Sequence, residues 1–182
     1  KIKFYTSENV GFGDVNLPEK DMHTTSYWFT LPWDLLDTLA LRREEIIDGL
    51  LGLAYCIHHL AAMLVMADIR DIDRCIGDKS GEWFVRHGKD KRIITSQPGA
   101  PGPEVMTDAF DPTLFIFDAY PGGIGFSELL FERHDELMSA ARRLIGACAC
   151  DHGCPMCVGP VLEVGPAAKE ASLRILDLME GS

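Results

Sequence analysis

GLLGLAYCIHHLAAMLVMA, residues 49–67, decides what kind of fold this chain adopts. The run passes the threshold of roughly 18 residues at which an apolar stretch becomes a candidate membrane span. Two features favour the other reading, a helix buried in a protein core. His58 and His59 sit in the middle of the run, and Asp48 and Asp68 bound it without any basic flank. A helix that is apolar almost all round is also what the centre of a folded domain requires. Just outside and within the run, Ile46, Leu50, Leu53, Ile57, Leu60 and Leu64 recur at helical spacing, which extends the expected helix from about Arg43 to Met66.

On its N-terminal side the pattern is that of strands. KIKFYTSENV, GFGDVNLP and HTTSYWFTLP are rich in Thr, Val and aromatic residues and are interrupted by Asn9, Gly11, Gly13 and Pro18. Pro32 suits the first turn of a short helix over Trp33–Leu39. On the C-terminal side, residues 77–112 predict one strand or hairpin followed by a loop dense in Pro and Gly. TLFIFDA, residues 113–119, is a short continuous apolar run and predicts a buried strand. PGGIG turns the chain into an amphipathic helix over Phe126–Ile145, and a last helix covers Pro166–Met179. The expected fold is therefore α+β: an antiparallel or mixed sheet, a long buried helix, and a four-cysteine knuckle between the C-terminal helices.

With 182 residues, 47% of them hydrophobic, the chain suits one domain spanning 1–182, and it contains no internal repeat. Lys1-Ile-Lys-Phe-Tyr-Thr alternates like a strand already under way rather than a secretory leader, so the chain is expected to be part of a larger protein. The formal charge of −11 opposes nucleic acid and anionic lipid over most of the surface, so any such contact must be local. VRHGKDKR offers the one local basic stretch, with Arg86, Lys89, Lys91 and Arg92 as candidate phosphate contacts and Trp83 and Phe84 nearby for stacking; a plain basic surface loop is the favoured reading of the two.

CACDHGCPMCVG, residues 148–159, carries four of the six cysteines. Cys148 and Cys150 form one close pair, and Cys154 and Cys157 form a second on a turn that Pro155 stiffens. Four thiolates fill the tetrahedron that zinc prefers, and Gly159 suits a positive φ that would turn backbone N–H groups toward sulfur. An iron–sulfur cluster also uses four thiolates, and a redox Cys-x-x-Cys pair uses two; disulfides fit poorly without a secretory context. The zinc reading makes residues 147–160 a structural cluster with no open coordination position.

The remaining motifs favour structural explanations. PGGIGFS lacks the third glycine of a dinucleotide fingerprint and the Lys-Ser/Thr of a P-loop, which leaves a tight turn with Asp118 as a turn or cap residue. Adjacent on one helix, His58 and His59 diverge too far to share a metal. His152 reads as a solvated loop residue, and Cys56 and Cys75 as small buried hydrophobes. Asp68, Asp71 and Asp73, interspersed with Arg70 and Arg74, predict a solvated, ion-paired face at the end of the long helix. Nothing in the chain predicts an active site.

HTTSYWFTLP, the long helix ending in MADIRDI, then TLFIFDAYPGGIGFSELLFERHDEL and CACDHGCPMCVGP occur in an order that resembles a known domain. It is the C-terminal four-cysteine domain of DEAD/DEAH-box helicases of the mitomycin-repair-factor type. The stretch from Gly77 to Pro112 does not take part in the resemblance. The resemblance implies an accessory domain of an ATP-dependent 3′–5′ DNA helicase with a role in repair, packed on the motor domains of the same polypeptide beside the DNA path. It implies Cys148, Cys150, Cys154 and Cys157 as the zinc ligands and carries over no catalytic residue. The expected partners are the motor domains and DNA, the latter bound weakly by the isolated chain. The expected setting is cytoplasmic, away from membranes. An independent zinc-dependent protein-interaction module and a redox enzyme are the rival readings.

Overall fold

The computed structural model describes residues 21–78 and 110–180, the backbone of 82–87 and 90–95, and positions 5, 6, 8 and 11. In chain order the elements are β1 (Ser26–Thr30), α1 (Trp33–Asp37), α2 (Arg43–Leu64), β2 (Ile72–Gly77), β3 (Glu82–His87), β4 (Asp90–Thr95), β5 (Thr113–Asp118), α3 (Phe126–Glu132), α4 (His134–Ala147), α5 (Val161–Val164) and α6 (Ala168–Glu180). The five strands form one sheet in the order β1-β5-β2-β3-β4, and every pairing is antiparallel. The expected α+β class holds, and of the two sheet types expected it is the antiparallel one. The strands expected in KIKFYTSENV and GFGDVNLP, and the Pro/Gly loop before Phe110, lie almost wholly outside the described residues.

Helix α2 is the centre of the fold. Of its most apolar 18-residue window, 67% is buried inside the protein, so its hydrophobicity serves the core. Ile46, Leu50, Leu53 and Ile57 are fully enclosed. One flank packs on α6, where Gly49 and Gly52 let the two helices approach closely: a Cβ on Gly49 would lie 2.6 Å from the Ala171 Cβ. The Ser172 hydroxyl completes this contact by donating to the Gly49 carbonyl at 2.7 Å. Other flanks meet α4 and β2. The helix stops two residues before the expected Met66, which itself takes a left-handed φ of 54° and turns the chain toward β2.

Strand β5 lies between β1 and β2. Its expected full burial is half right: Leu114, Ile116 and Asp118 are buried, whereas Phe115 and Phe117 on the other face are only partly covered. Trp28 stands opposite Phe115 and is 57% exposed. An antiparallel sheet needs only one covered face, which a continuous apolar run does not disclose.

Two further expectations need correction. The single helix over Phe126–Ile145 is broken at Arg133 (φ −107°, ψ 25°), whose guanidinium donates to the Leu64 carbonyl at 3.0 Å at the end of α2. The segment after Asp71 is strand β2, not a solvated helical terminus. The exposed Asp68–Arg70 pair does form, at 3.0 Å. Arg74 instead sits partly buried against α2, with its guanidinium 5.3 Å from the Tyr55 ring centroid. It donates to His58 Nδ1.

Candidate metal centre

The C-terminal end of α4 delivers Cys148, and the chain then circles through Cys150, Cys154 and Cys157 before reaching α5. The four sulfurs lie within 4.8 Å of one another. Cys148 and Cys150 are 3.5 Å apart, Cys148 and Cys154 3.6 Å, Cys150 and Cys157 3.5 Å, and Cys154 and Cys157 3.7 Å. A regular tetrahedron of zinc–sulfur bonds near 2.3 Å has edges of about 3.8 Å. These separations therefore fit a tetrathiolate zinc site, and they are far too long for disulfide bonds. Cys157 is buried and the other three are half-buried.

Backbone geometry holds the ring of sulfurs. The amides of Cys157 and Gly159 both donate to the Cys154 carbonyl at 3.0 Å, closing the Cys-Pro-Met-Cys turn. Gly159 takes the expected positive φ, 97°, but its N–H serves that carbonyl rather than a sulfur. The amides that support sulfur belong to Cys150, Gly153, Cys154 and Val158. From α2, the Tyr55 hydroxyl donates to the Pro155 carbonyl at 3.2 Å. A Cβ on Gly159 would come within 3.0 Å of the Tyr55 ring, so ring and turn are in direct contact. From α6, the Lys169 ammonium donates to the carbonyls of Cys148, at 2.6 Å, and Cys150.

Without metal the thiols are electrically unequal. The Cys150 amide, with the thiols of Cys150 and Cys154, brings Cys148 down to about 7, while burial pushes Cys157 up to about 12. Four sulfurs this close cannot all ionise unless a cation sits among them. By contrast, burial pushes Cys56 up to about 12 and Cys75 to about 11, so neither is a reactive thiolate. His152 is exposed and outside the cluster, as expected.

The model of the MrfA Zn-binding domain matches residues 53–158, more than half of the chain, and the match takes in all four cysteines. The chain belongs to this family. As an MrfA Zn-binding domain it is a zinc-binding domain, with Cys148, Cys150, Cys154 and Cys157 as the four-cysteine cluster able to hold the ion. It is 33% identical, over 98% of its length, to an uncharacterised ATP-dependent helicase, YprA, of Bacillus subtilis (strain 168), and covers 20% of that protein. It is 36% identical over 45 residues to the uncharacterised protein MJ1572.1 of Methanocaldococcus jannaschii, which amounts to 25% of this chain and 40% of that protein. Two crystal structures of the DUF1998 helicase MrfA match at 31% identity. The one bound to DNA gives a TM-score of 0.64 over 98% of this chain and 20% of that chain; the one bound to DNA and AMPPNP gives 0.57 over 97% and 18%. The MrfA Zn-binding domain here thus spans about a fifth of the length of the helicases it matches.

The other expected site is differently placed. Arg86 lies on β3, with Lys91 and Arg92 on β4; the register sets Arg86 opposite Lys91 and Val85 opposite Arg92. Lys89 lies outside the described residues. The hairpin forms the sheet edge remote from β1, and α5, which follows the cysteine cluster, lies beside β3. The PGGIG turn proves to be filled from within. The Asp118 carboxylate accepts the amides of Ile124, Gly125, Phe126 and Ser127 at 2.6–3.2 Å. That leaves the start of α3 saturated by an internal anion, which confirms the cap reading of Asp118. Glycine is required at 123, where φ is 73° and a Cβ would lie 2.2 Å from the Thr25 hydroxyl. Lys169 and Tyr55 were invisible to motif reading, since neither belongs to a spacing pattern that includes the cysteines.

Proposed function

We propose that this chain is a zinc-stabilised accessory domain of a superfamily-2 ATP-dependent DNA helicase, acting in the cytoplasm in DNA repair. In this reading it packs on the motor domains of its own polypeptide and helps to shape the DNA path. The observation that carries it is the alignment of 98% of the chain onto one part of a helicase that has been crystallised with DNA. The domain supplies no catalysis of its own: the only glycine-rich strand-to-helix turn among the described residues is occupied by Asp118. The zinc ion closes the chain between α4 and α6, and four protein thiolates leave no position for a reacting water.

DNA contact in this reading falls to the β3–β4 hairpin, through Arg86, Lys89, Lys91 and Arg92. Arg86, Lys91 and Arg92 lie on the paired strands β3 and β4 of a chain whose formal charge is −11. Binding by the isolated chain is then weak. With four phosphate contacts its logarithmic salt slope on single strands is at most about −3.

The test uses the chain alone and joined to the motor of its parent. The joined protein unwinds DNA with ATP, Cys154→Ser impairs unwinding, and the isolated chain turns over no ATP. Turnover by the isolated chain, or tight DNA binding at physiological salt that survives combined Lys89→Ala, Lys91→Ala and Arg92→Ala, overturns the assignment. An independent zinc-dependent interaction module would show neither motor coupling nor DNA contact.

A further inference from the structure

Lys169 occupies the first turn of α6, where a cation is out of place. The N-terminal end of a helix carries partial positive charge and favours Asp or Glu by roughly 0.3–1 kcal/mol. Lys169 nevertheless directs its ammonium group, half-buried, back to the cysteine loop, donating to the Cys148 carbonyl at 2.6 Å and to the Cys150 carbonyl. Its helix is held firmly enough to aim it. Ala168 is fully buried at the start of α6, and a Cβ on Gly52 of α2 would lie 3.1 Å from the Ala168 Cβ. Arg74 stacks its guanidinium 5.3 Å from the centroid of the Tyr55 ring, which itself contacts Gly159 of the cysteine loop.

We propose that Lys169 is a positioning residue of the metal centre, fixing the Cys-x-Cys pair in its ligating conformation and offsetting the excess charge of the metal–thiolate group. The proposal rests on the assignment of the four cysteines as the zinc ligands. Four thiolates outweigh one dication by two negative charges, and a fixed ammonium group against two ligand backbones lowers the cost of holding that charge inside the protein. The same two hydrogen bonds narrow the range of Cys148 and Cys150 conformers that must be ordered when metal binds. Outer groups of this kind commonly change metal affinity 10–100-fold.

A purely structural role, pinning the backbone of the loop that follows α4, predicts something else. Such a contact stabilises the metal-loaded and metal-free chains alike and leaves zinc affinity unchanged.

The experiment measures zinc affinity of the 182-residue chain by competition with a chromophoric chelator. Lys169→Met, which keeps the length and apolar stem of the side chain, is expected to weaken zinc binding 10–100-fold, and Lys169→Arg, which keeps the charge, to weaken it less. Unchanged affinity in Lys169→Met, or an equal loss in both variants, overturns the proposal. A second measurement needs no variant. Acylation of lysines, read by mass spectrometry, should modify Lys169 at least 10-fold more slowly in the zinc-loaded chain than after chelation. Equal rates in the two states overturn the proposal as well. Absence of zinc binding by the wild-type chain would instead remove the ligand assignment beneath it.

Discussion

The Ser127 hydroxyl donates to the Asp118 carboxylate at 2.6 Å while the Ser127 amide donates to the same oxygen at 3.0 Å. With the amides of Ile124, Gly125 and Phe126 on the second oxygen, one buried carboxylate organises the whole turn between β5 and α3. Burial opposes its ionisation, but the donors from Ser127, Ile124 and Phe126 outweigh this and hold its pKa below the ordinary value of 3.8. Asp118→Ala strands several buried donors at once and should cost about 3–5 kcal/mol in chemical denaturation. The stability contributed by this ionised group is present above its unfolded-state pKa, near 3.9, and is lost as pH falls through the lower folded value. The wild-type minus Asp118→Asn stability difference should therefore shrink below about pH 4. A difference independent of pH there would refute the anionic cap.

His58 should impose a second pH dependence, at higher pH. Its Nε2 meets the Ile72 carbonyl at 2.8 Å, and its Nδ1 faces a guanidinium nitrogen of Arg74, so the neutral ring with its proton on Nε2 satisfies both contacts. Burial lowers its pKa below 6.5, the Ile72 carbonyl opposes this, and Arg74 and His59 add to the lowering. The unfolded chain then binds the proton first as pH falls. Stability from this site is complete above about pH 6.5 and declines below it, down through the folded pKa. Replacement by Gln should flatten the stability slope between pH 6.5 and 5, measured against wild type at fixed zinc. Identical slopes would place the proton elsewhere.

Gly49 tests the contact between α2 and α6. An exposed helical Gly→Ala change stabilises by roughly 1 kcal/mol through backbone entropy. Here the added carbon would lie 2.6 Å from the Ala171 Cβ and 2.9 Å from its carbonyl carbon, so a helix must move. Gly49→Ala should destabilise by about 1–3 kcal/mol instead. A rise in melting temperature would show that the helices can separate freely.

The metal centre makes the clearest prediction for removal. Elemental analysis should find about one zinc per chain, and Cys154→Ser should lower both zinc content and melting temperature. Structural zinc supplies roughly 10–16 kcal/mol of apparent binding energy in small finger peptides, but this chain also has an extensive core around α2, which the cysteine loop joins through Cys157 and Val158. Chelation should therefore raise amide exchange across residues 147–160 before it does so in α2. Simultaneous loss of protection in both would make the metal essential to the whole fold.

What sequence determined here was what local chemistry carries. Four thiols within ten positions specify a tetrahedral metal site almost without regard to the rest of the chain, because short loops bring the ligands together. Likewise the periodicity of Ile46, Leu50, Leu53 and Ile57 specifies a helix, and the two histidines with the acidic flanks correctly placed it in a core. Tertiary structure decided what depends on partners far away in the chain. IDRCIG does not alternate cleanly and became strand β2 because β5 pairs with it six residues long, a non-local gain that no window of sequence contains. The break at Arg133 depends on the Leu64 carbonyl, 69 positions earlier. Lys169 reaches Cys148 and Cys150 only because Gly49 and Gly52 let α6 lie close on α2. Ligand identity is encoded by spacing, whereas the groups that support the ligands are set by how the helices pack.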